Sequence, residues 1–183
     1  MARTATSDYE AVIVAHSSFG KLALRAESEA ALLQKEADRL EEAILEAREN
    51  GASIDRTVVK QIEIAKRRLE LRIANLASRH AKDDGLRFED LGFDAVFVDE
   101  AHAFKNLMLV TKMNRVAGLP ATESARAWDM YAKTRHVLAG GGRVVFATAT
   151  PCTNTLAEVF NMQRYLQEDT LERLGIAHFD AWA

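Results

Sequence analysis

Two short stretches of this 183-residue chain carry side chains that could do chemistry together. The first, Val96-Phe97-Val98-Asp99-Glu100-Ala101-His102, is an apolar run ending in two carboxylates and a histidine. The second, Val144 to Ala147 followed by Thr148-Ala149-Thr150-Pro151, is an apolar run ending in two threonines and a proline. Short continuous apolar runs are the mark of buried parallel strands, and open α/β sheets carry their chemistry at the carboxyl ends of such strands. A carboxylate there can hold the Mg²⁺ of a nucleoside triphosphate through water, which suits Asp99. A second group must orient or deprotonate the attacking water, which suits Glu100. Alone, an Asp-Glu pair after apolar residues reads equally well as the opening of a solvated loop. His102, Lys105-Asn106 and the later Thr-Ala-Thr-Pro favour a site.

The elements that must position these residues are legible as textures. Residues 11–16 (AVIVAH), 94–99 and 143–147 predict three strands of a parallel sheet. Residues 22–49 contain no Gly or Pro and are rich in Ala, Leu and Glu, all strong helix formers. Asn50-Gly51 reads as a helix stop and Ser53 as the cap of a second helix, which runs to Asp83-Asp84-Gly85. The chain thus divides into a lobe of residues 1–21 and 84–183 and an inserted antiparallel helical hairpin over 22–83.

The two helices have matching seams. Ala30, Leu33, Ala37, Leu40, Ile44 and Ala47 step by threes and fours, as do Val59, Ile62, Lys66, Leu69, Ile73 and Leu76. This is coiled-coil spacing, interrupted by Lys66. Residues 22–49 hold four Lys/Arg against eight Asp/Glu, a balance of −4, and residues 54–82 hold eight against three, a balance of +5. An acidic helix folding on a basic one is the simplest arrangement. The cluster Lys66-Arg67-Arg68-Arg72 has two readings: a grip on a phosphate backbone, or a solvated face paired with the acidic helix, which is the simpler. No aromatic residue lies within 22–82, which argues against base stacking by this arm. Leu24, Leu32, Leu45, Val58, Ile64 and Leu71 fall off the seam, so a third surface, whether the lobe, a missing parent domain or another copy of the chain, is expected to cover some of them.

Downstream, Gly118-Leu119-Pro120 marks a loop, and Thr122, Glu123 and Ser124 can cap a helix running to about Leu138. Gly140-Gly141-Gly142 stops that helix and admits the next strand. With no helix following to supply a dipole, the triplet reads as a connector and not a phosphate loop. Asn154 or Thr155 then caps a helix through Tyr165. The net charge of −3 and pI near 6.0 give no global reason to expect nucleic-acid binding. The single Cys152 excludes an internal disulfide and a cysteine-based metal site. No apolar run approaches a membrane span and no secretory h-region is visible, so a cytoplasmic protein without a membrane partner is expected.

Residues 94–106 (DAVFVDEAHAFKN) resemble motif II of superfamily 2 helicases and translocases, and Lys105-Asn106 after the DEAH looks like the Swi/Snf-type branch. Residues 144–166 (VVFATATPCTNTLAEVFNMQRYL) resemble motif III of that branch, with Thr150, Pro151, Asn154, Glu158, Phe160 and Asn161 at the matching positions. Residues 9–22 (YEAVIVAHSSFGKL) are similar to the strand and turn preceding motif II. Helicase regions of plasmid- or phage-borne proteins that also carry DNA methylase regions look most alike. The resemblance covers a little over half the chain.

The resemblance implies a partial RecA-like α/β lobe whose intact parent would bind ATP, Mg²⁺ and DNA. Asp99 would hold the metal through water, Glu100 would activate water, and His102 would link them to motif III. Thr148, Thr150, Pro151 and Asn154 would couple nucleotide state to the DNA-binding surface, to which Lys105 and Asn106 would contribute. Two departures matter. The Gly-rich phosphate loop is missing: Gly20-Lys21 is followed by Leu22, where a metal-binding hydroxyl belongs, and reads as a turn after a strand. The arginine-bearing motifs of a second lobe are also missing. The chain therefore looks like a piece of a larger protein that would supply the missing lobes. Alone it is expected to hydrolyse no ATP and to bind no cofactor tightly. The competing reading is a non-catalytic interaction module with a coiled-coil arm.

Overall fold

The computed structural model describes residues 9–49, 56–79, 85–111 and 124–183. They fall into two compact units: residues 9–25, 85–109 and 124–183 form one, and residues 26–49, 56–79 and 110–111 the other. Each is described in its own frame.

The first unit is organised around two parallel strands, β1 (Ala95–Val98) and β2 (Arg143–Phe146), with Ala95 opposite Arg143 and Val98 opposite Phe146. Strand alternation puts Val96, Val98, Val144 and Phe146 on one face. Helix α4 (Ala125–Ala139) packs on that face, and the Phe146 ring lies 5.1 Å from Tyr165. The opposite face carries Ala95, Phe97, Arg143 and Val145, all exposed, and Phe97 keeps 75% of its surface in water. Parallel sheets are ordinarily covered on both faces, so this one is half dressed. Together with the sheet and its helices, this makes the chain an α/β protein of the expected class.

Each crossover element has a local cause. Ser124 caps α4, its Oγ accepting from the Ala127 N–H at 3.3 Å. Gly140–Gly142 is more than a connector. Gly141 takes a left-handed φ of 79°. A Cβ on Gly142 would lie 2.6 Å from the Asp94 carbonyl and 2.7 Å from Val137 Cγ1, so only glycine lets α4 hand the chain to β2 at this distance.

The strand expected at 11–16 does not form. Residues 11–15 have no regular structure, His16–Phe19 is one helical turn (α1), and Val12 and Ile13 are exposed. A β-branched run becomes a strand only beside a partner edge, and among the described residues β1 and β2 pair only with each other. Gly20-Lys21 accordingly follows a helical turn and not a strand. Beyond it Leu22 and Leu24 are buried, and the Arg25 N–H donates to both Glu89 oxygens, at 2.9 and 3.1 Å. Lys133 is buried beneath Phe19 and Phe88, its ammonium donating to the Phe19 carbonyl at 2.8 Å and to Asp129 at 2.6 Å.

Helix α5 (Leu156–Arg173) runs past the expected end at Tyr165 and kinks at Gln167, where φ is −147° and ψ 34°. Beyond the kink, buried Glu168 accepts from the Tyr131 hydroxyl and lies 3.4 Å from Arg135, tying α5 to α4. A final turn, α6 (Phe179–Trp182), packs its rings on Phe160.

The second unit is a pair of 24-residue helices, α2 (Ala26–Glu49) and α3 (Arg56–Arg79). Glu29 meets Arg72 at 2.7 Å and Glu41 meets Lys66 at 3.1 Å, which makes the pair antiparallel. Leu33, Ala37, Leu40 and Ile44 are buried against Ile62 and Leu69, as the spacing predicts. Val58 is buried more deeply than the expected seam residue Val59. The turn signals at Asn50–Ser53, Asp83-Asp84 and Gly118–Glu123 lie outside the described residues. No described helix is long and apolar enough to cross a membrane.

Candidate functional site

The site-bearing loops leave the carboxyl ends of β1 and β2 side by side, because pairing continues past both strands. The Ala147 N–H donates to the Val98 carbonyl at 2.8 Å, and the Ala101 N–H donates to the Ala147 carbonyl at 3.0 Å. Between these bonds the first loop turns sharply. Glu100 has φ 51° and ψ 44°, the one left-handed non-glycine among the described residues. Such a backbone costs on the order of 1 kcal/mol and persists only where its surroundings impose it. Asp99 Oδ1 supports the turn by accepting from the Glu100 N–H at 2.9 Å. A 3-10 turn, Ala101–Phe104, follows and is anchored by buried Ala101 and Phe104.

This geometry brings Glu100, His102 and Thr148 together. His102 Nδ1 lies 3.1 Å from Glu100 Oε2 and 3.2 Å from Thr148 Oγ1. Thr148 Oγ1 also accepts from the Thr150 N–H at 3.1 Å. A polar chain therefore runs from the first loop through His102 into the second. A protonated Nδ1 has one hydrogen to share between the Glu100 carboxylate and the Thr148 hydroxyl. Asp99 is exposed beside them. Among the described residues no three His, Cys, Asp or Glu side chains cluster as metal ligands. A lone carboxylate at a strand end fits Mg²⁺ that is held through water and arrives with phosphate oxygens, and does not fit a closed protein cage.

A second layer fixes the chain just beyond. One face of α5 reads Glu158, Asn161, Arg164 and Tyr165. Asn161 Nδ2 donates to the carbonyls of Lys105 and Leu107, both at 3.0 Å. Arg164 donates to the Met108 carbonyl at 2.7 Å, and the Tyr165 hydroxyl lies 2.9 and 2.8 Å from the carbonyls of Phe104 and Ala127. Burial pushes the Tyr165 pKa up and keeps the hydroxyl a neutral donor. Glu158 closes the start of the helix. It accepts from the N–H groups of Thr153 (2.7 Å) and Asn154 (3.2 Å) and pairs with Lys105 at 2.9 Å. Burial alone would raise its pKa, but these donors and the Lys105 ammonium together bring it down to about 2. Thr155 is the N-cap, yet its hydroxyl makes no capping bond, so Glu158 does the capping.

Lys105 is thus engaged by Glu158 and by the Thr153 hydroxyl, while Asn106 is exposed. Thr150, Pro151 and Asn154 are exposed on the second loop. The arm residues belong to the other unit. There Lys66 is held by Glu41 and Glu70, Arg72 by Glu29, and Arg67 and Arg68 are exposed. Thr153, Arg164 and Tyr165 are structural members of the site that sequence reasoning missed. Arg164 and Tyr165 share the helical face of Glu158 and Asn161, while Thr153 lies on the loop before the helix.

The two loops thus bring carboxylate, imidazole and hydroxyl groups together at adjacent parallel strand ends. The chain belongs to the family described as "Probable helicase domain", whose model matches residues 1–183. Over 94 residues, 49% of this chain, it is 35% identical to "Defense against restriction protein B" of Escherichia phage P1. The chain spans about 4% of the length of that relative. No solved structure matches it.

Proposed function

We propose that this chain is the part of a DNA helicase or translocase motor lobe that carries motif II and motif III. In this reading Asp99 positions Mg²⁺ bound to ATP, Glu100 orients and deprotonates the attacking water, and His102 relays to Thr148 and Thr150. The observation that carries it is the placement of His102 Nδ1 within 3.1 Å of Glu100 and 3.2 Å of Thr148. While Glu100 leans on His102 its carboxylate is occupied. A shift of His102 toward Thr148 frees it to accept a proton from water, so the pair can couple the base to the second loop. ATP and Mg²⁺ supply the transferred phosphoryl group and its charge neutralisation when bound.

Phosphoryl transfer is mostly positioning, and the sequence carries no Gly-rich phosphate loop ending in Gly-Lys-Ser or Gly-Lys-Thr. The uncovered Phe97–Val145 face likewise supports a lobe completed from outside residues 1–183. The 183-residue chain alone is therefore expected to show no DNA-stimulated ATP turnover. The test is a steady-state assay with DNA and Mg²⁺, on this chain and on a longer polypeptide that carries it with a phosphate loop. Turnover by the longer form that is lost in Glu100→Gln supports the reading. Turnover unaffected by that change removes Glu100 from the role. The second reading, a non-catalytic module inside a large phage-type protein, is favoured by the same bare sheet face, and predicts no turnover in either form.

A further inference from the structure

The two helices of the arm carry opposite net charge. Summing side chains, α2 carries eight acidic and three basic residues, a balance of −5, and α3 seven basic and two acidic, a balance of +5. Lys60, Arg67 and Arg68 are exposed on α3 and make no ion pair among the described residues, and the same is true of Glu42 on α2.

Apolar residues sit beside these exposed charges. Ile64 and Leu71 are seven residues apart on α3, 44% and 58% exposed, with Lys60, Arg67 and Arg68 around them. On α2 the exposed positions Ala31, Gln34, Asp38, Glu42 and Leu45 form a stripe at the same three- and four-residue steps. Each helix therefore shows a second, thinner exposed stripe off its first seam, basic on one and acidic on the other, and Leu45 and Arg67 of the two stripes line one open groove between the helices. A cation-rich stripe that also carries Ile64 and Leu71 matches an acidic stripe carrying Ala31 and Leu45 better than it matches a phosphate backbone, which offers no apolar surface.

We propose that the arm associates with the arm of a second copy of this chain, the basic exposed stripe of α3 lying on the acidic exposed stripe of α2. A two-fold arrangement makes that contact twice, because each copy carries both stripes. Helices of 24 residues run about 36 Å, long enough for both contacts to form along a four-helix bundle in which acidic and basic helices alternate. Coulomb attraction would set the pairing, and the exposed Leu45, Ile64 and Leu71 would supply the apolar burial.

The test is sedimentation of the full chain over a wide concentration range at low and high salt. The wild-type chain is expected to dimerise, more weakly at high salt. Two charge-reversed forms decide the surface. Lys60→Glu with Arg67→Glu and Arg68→Glu makes both stripes acidic. Asp38→Lys with Glu42→Lys makes both basic. Each form alone should dimerise about tenfold or more weakly than wild type, and an equimolar mixture should recover a one-to-one complex. Circular dichroism checks that helicity survives each change. A wild-type monomer at high concentration overturns the proposal. So does dimerisation that neither reversal weakens, which would place the contact elsewhere, on the bare sheet face for example. Duplex DNA binding abolished by the α3 reversal, without any self-association, would assign the stripe to nucleic acid instead.

Discussion

In the arm, the deep apolar contacts lie on one periodic stripe per helix: Leu33, Ala37, Leu40 and Ile44 against Val58, Ile62 and Leu69. The site-bearing unit adds deep contacts of another kind to its apolar core. Buried Lys133, Glu168, Asn161 and Arg164 reach across long sequence separations, and three of them bond backbone carbonyls. An apolar seam tolerates small shifts, because dispersion and burial are non-directional. A carbonyl clamp does not, because a displaced donor leaves a buried acceptor unsatisfied. The arm is thus built to hold a shape along its length, and the site unit to hold a few loop atoms in place.

The two regions can be probed separately, since Trp128 and Trp182 are the chain's only tryptophans and both sit in the site unit, while the arm contributes just over half of the described α-helical residues. The largest effect is expected for Gly142→Val. Its side chain would meet the Asp94 and Val137 carbonyls at contact distances of 2.6 and 2.8 Å. We expect a loss of about 3 kcal/mol or more in the tryptophan-monitored urea transition, with arm helicity retained. Joint collapse of both signals would mean that the units are one cooperative body. The converse change is Leu69→Ala, which empties a seam position only 1% exposed. It should cost about 2–4 kcal/mol in far-ultraviolet circular dichroism and leave the tryptophan transition in place.

Sequence legibility follows the same divide. The arm was readable because its cause is local: propensity, period and charge lie within each helix. Its misplaced detail, Val59 for Val58, is a one-residue rotation of a face that period alone does not fix. Strands 95–98 and 143–146 were readable as apolar runs, and the Asp99–His102 and Thr148–Thr150 loops as their polar ends. The strand at 11–16 was misread because β structure depends on an edge that no local pattern encodes. The clamping role of Asn161, which the sequence marked only as a motif position, and of Arg164 and Tyr165, which it did not mark, was missed for a related reason. A buried polar residue looks like a surface residue until its carbonyl partners, most of them more than 50 positions away, are known.

That clamp yields the next contrast. Asn161→Ala strips the donors from the Lys105 and Leu107 carbonyls and should cost about 2–3 kcal/mol, read by tryptophan fluorescence alone. Asn161→Asp, which keeps the shape but loses the amide donors, should recover little. Equal stability of the two variants with wild type would show that solvent can replace the clamp. A smaller effect is expected from pH. The Glu158 carboxyl is lowered from 4.5 to about 2 in the fold, so its contribution is fully present above pH 4.5 and is lost as pH falls toward 2. Glu158→Gln should remove about 1–2 kcal/mol at neutral pH and flatten the acid limb of the site unit's stability curve. An unchanged acid limb would assign that limb to other carboxylates.

The smallest effect, and the most informative about the arm, should come from Lys66→Leu. Lys66 occupies a seam position, and its ammonium reaches Glu41 at 3.1 Å and Glu70 at 3.7 Å. Both carboxylates are more than half exposed, so removing the cation strands no buried charge. Leucine would complete the apolar row between Ile62 and Leu69, and replacing a seam ion pair by apolar packing is often neutral or stabilising. The urea midpoint of the arm should therefore stay level or rise slightly. What the lysine contributes is register: its bond to Glu41 is one of the few directional contacts across an otherwise slippery seam. Amide spectra of the variant should accordingly show more than one conformer for residues near Ile44 and Leu69. A single conformer with raised stability would mean that the apolar seam alone fixes the register. A fall in the midpoint would mean that the ion pair stabilises the arm after all, and the contrast between seam and clamp would be less sharp than drawn.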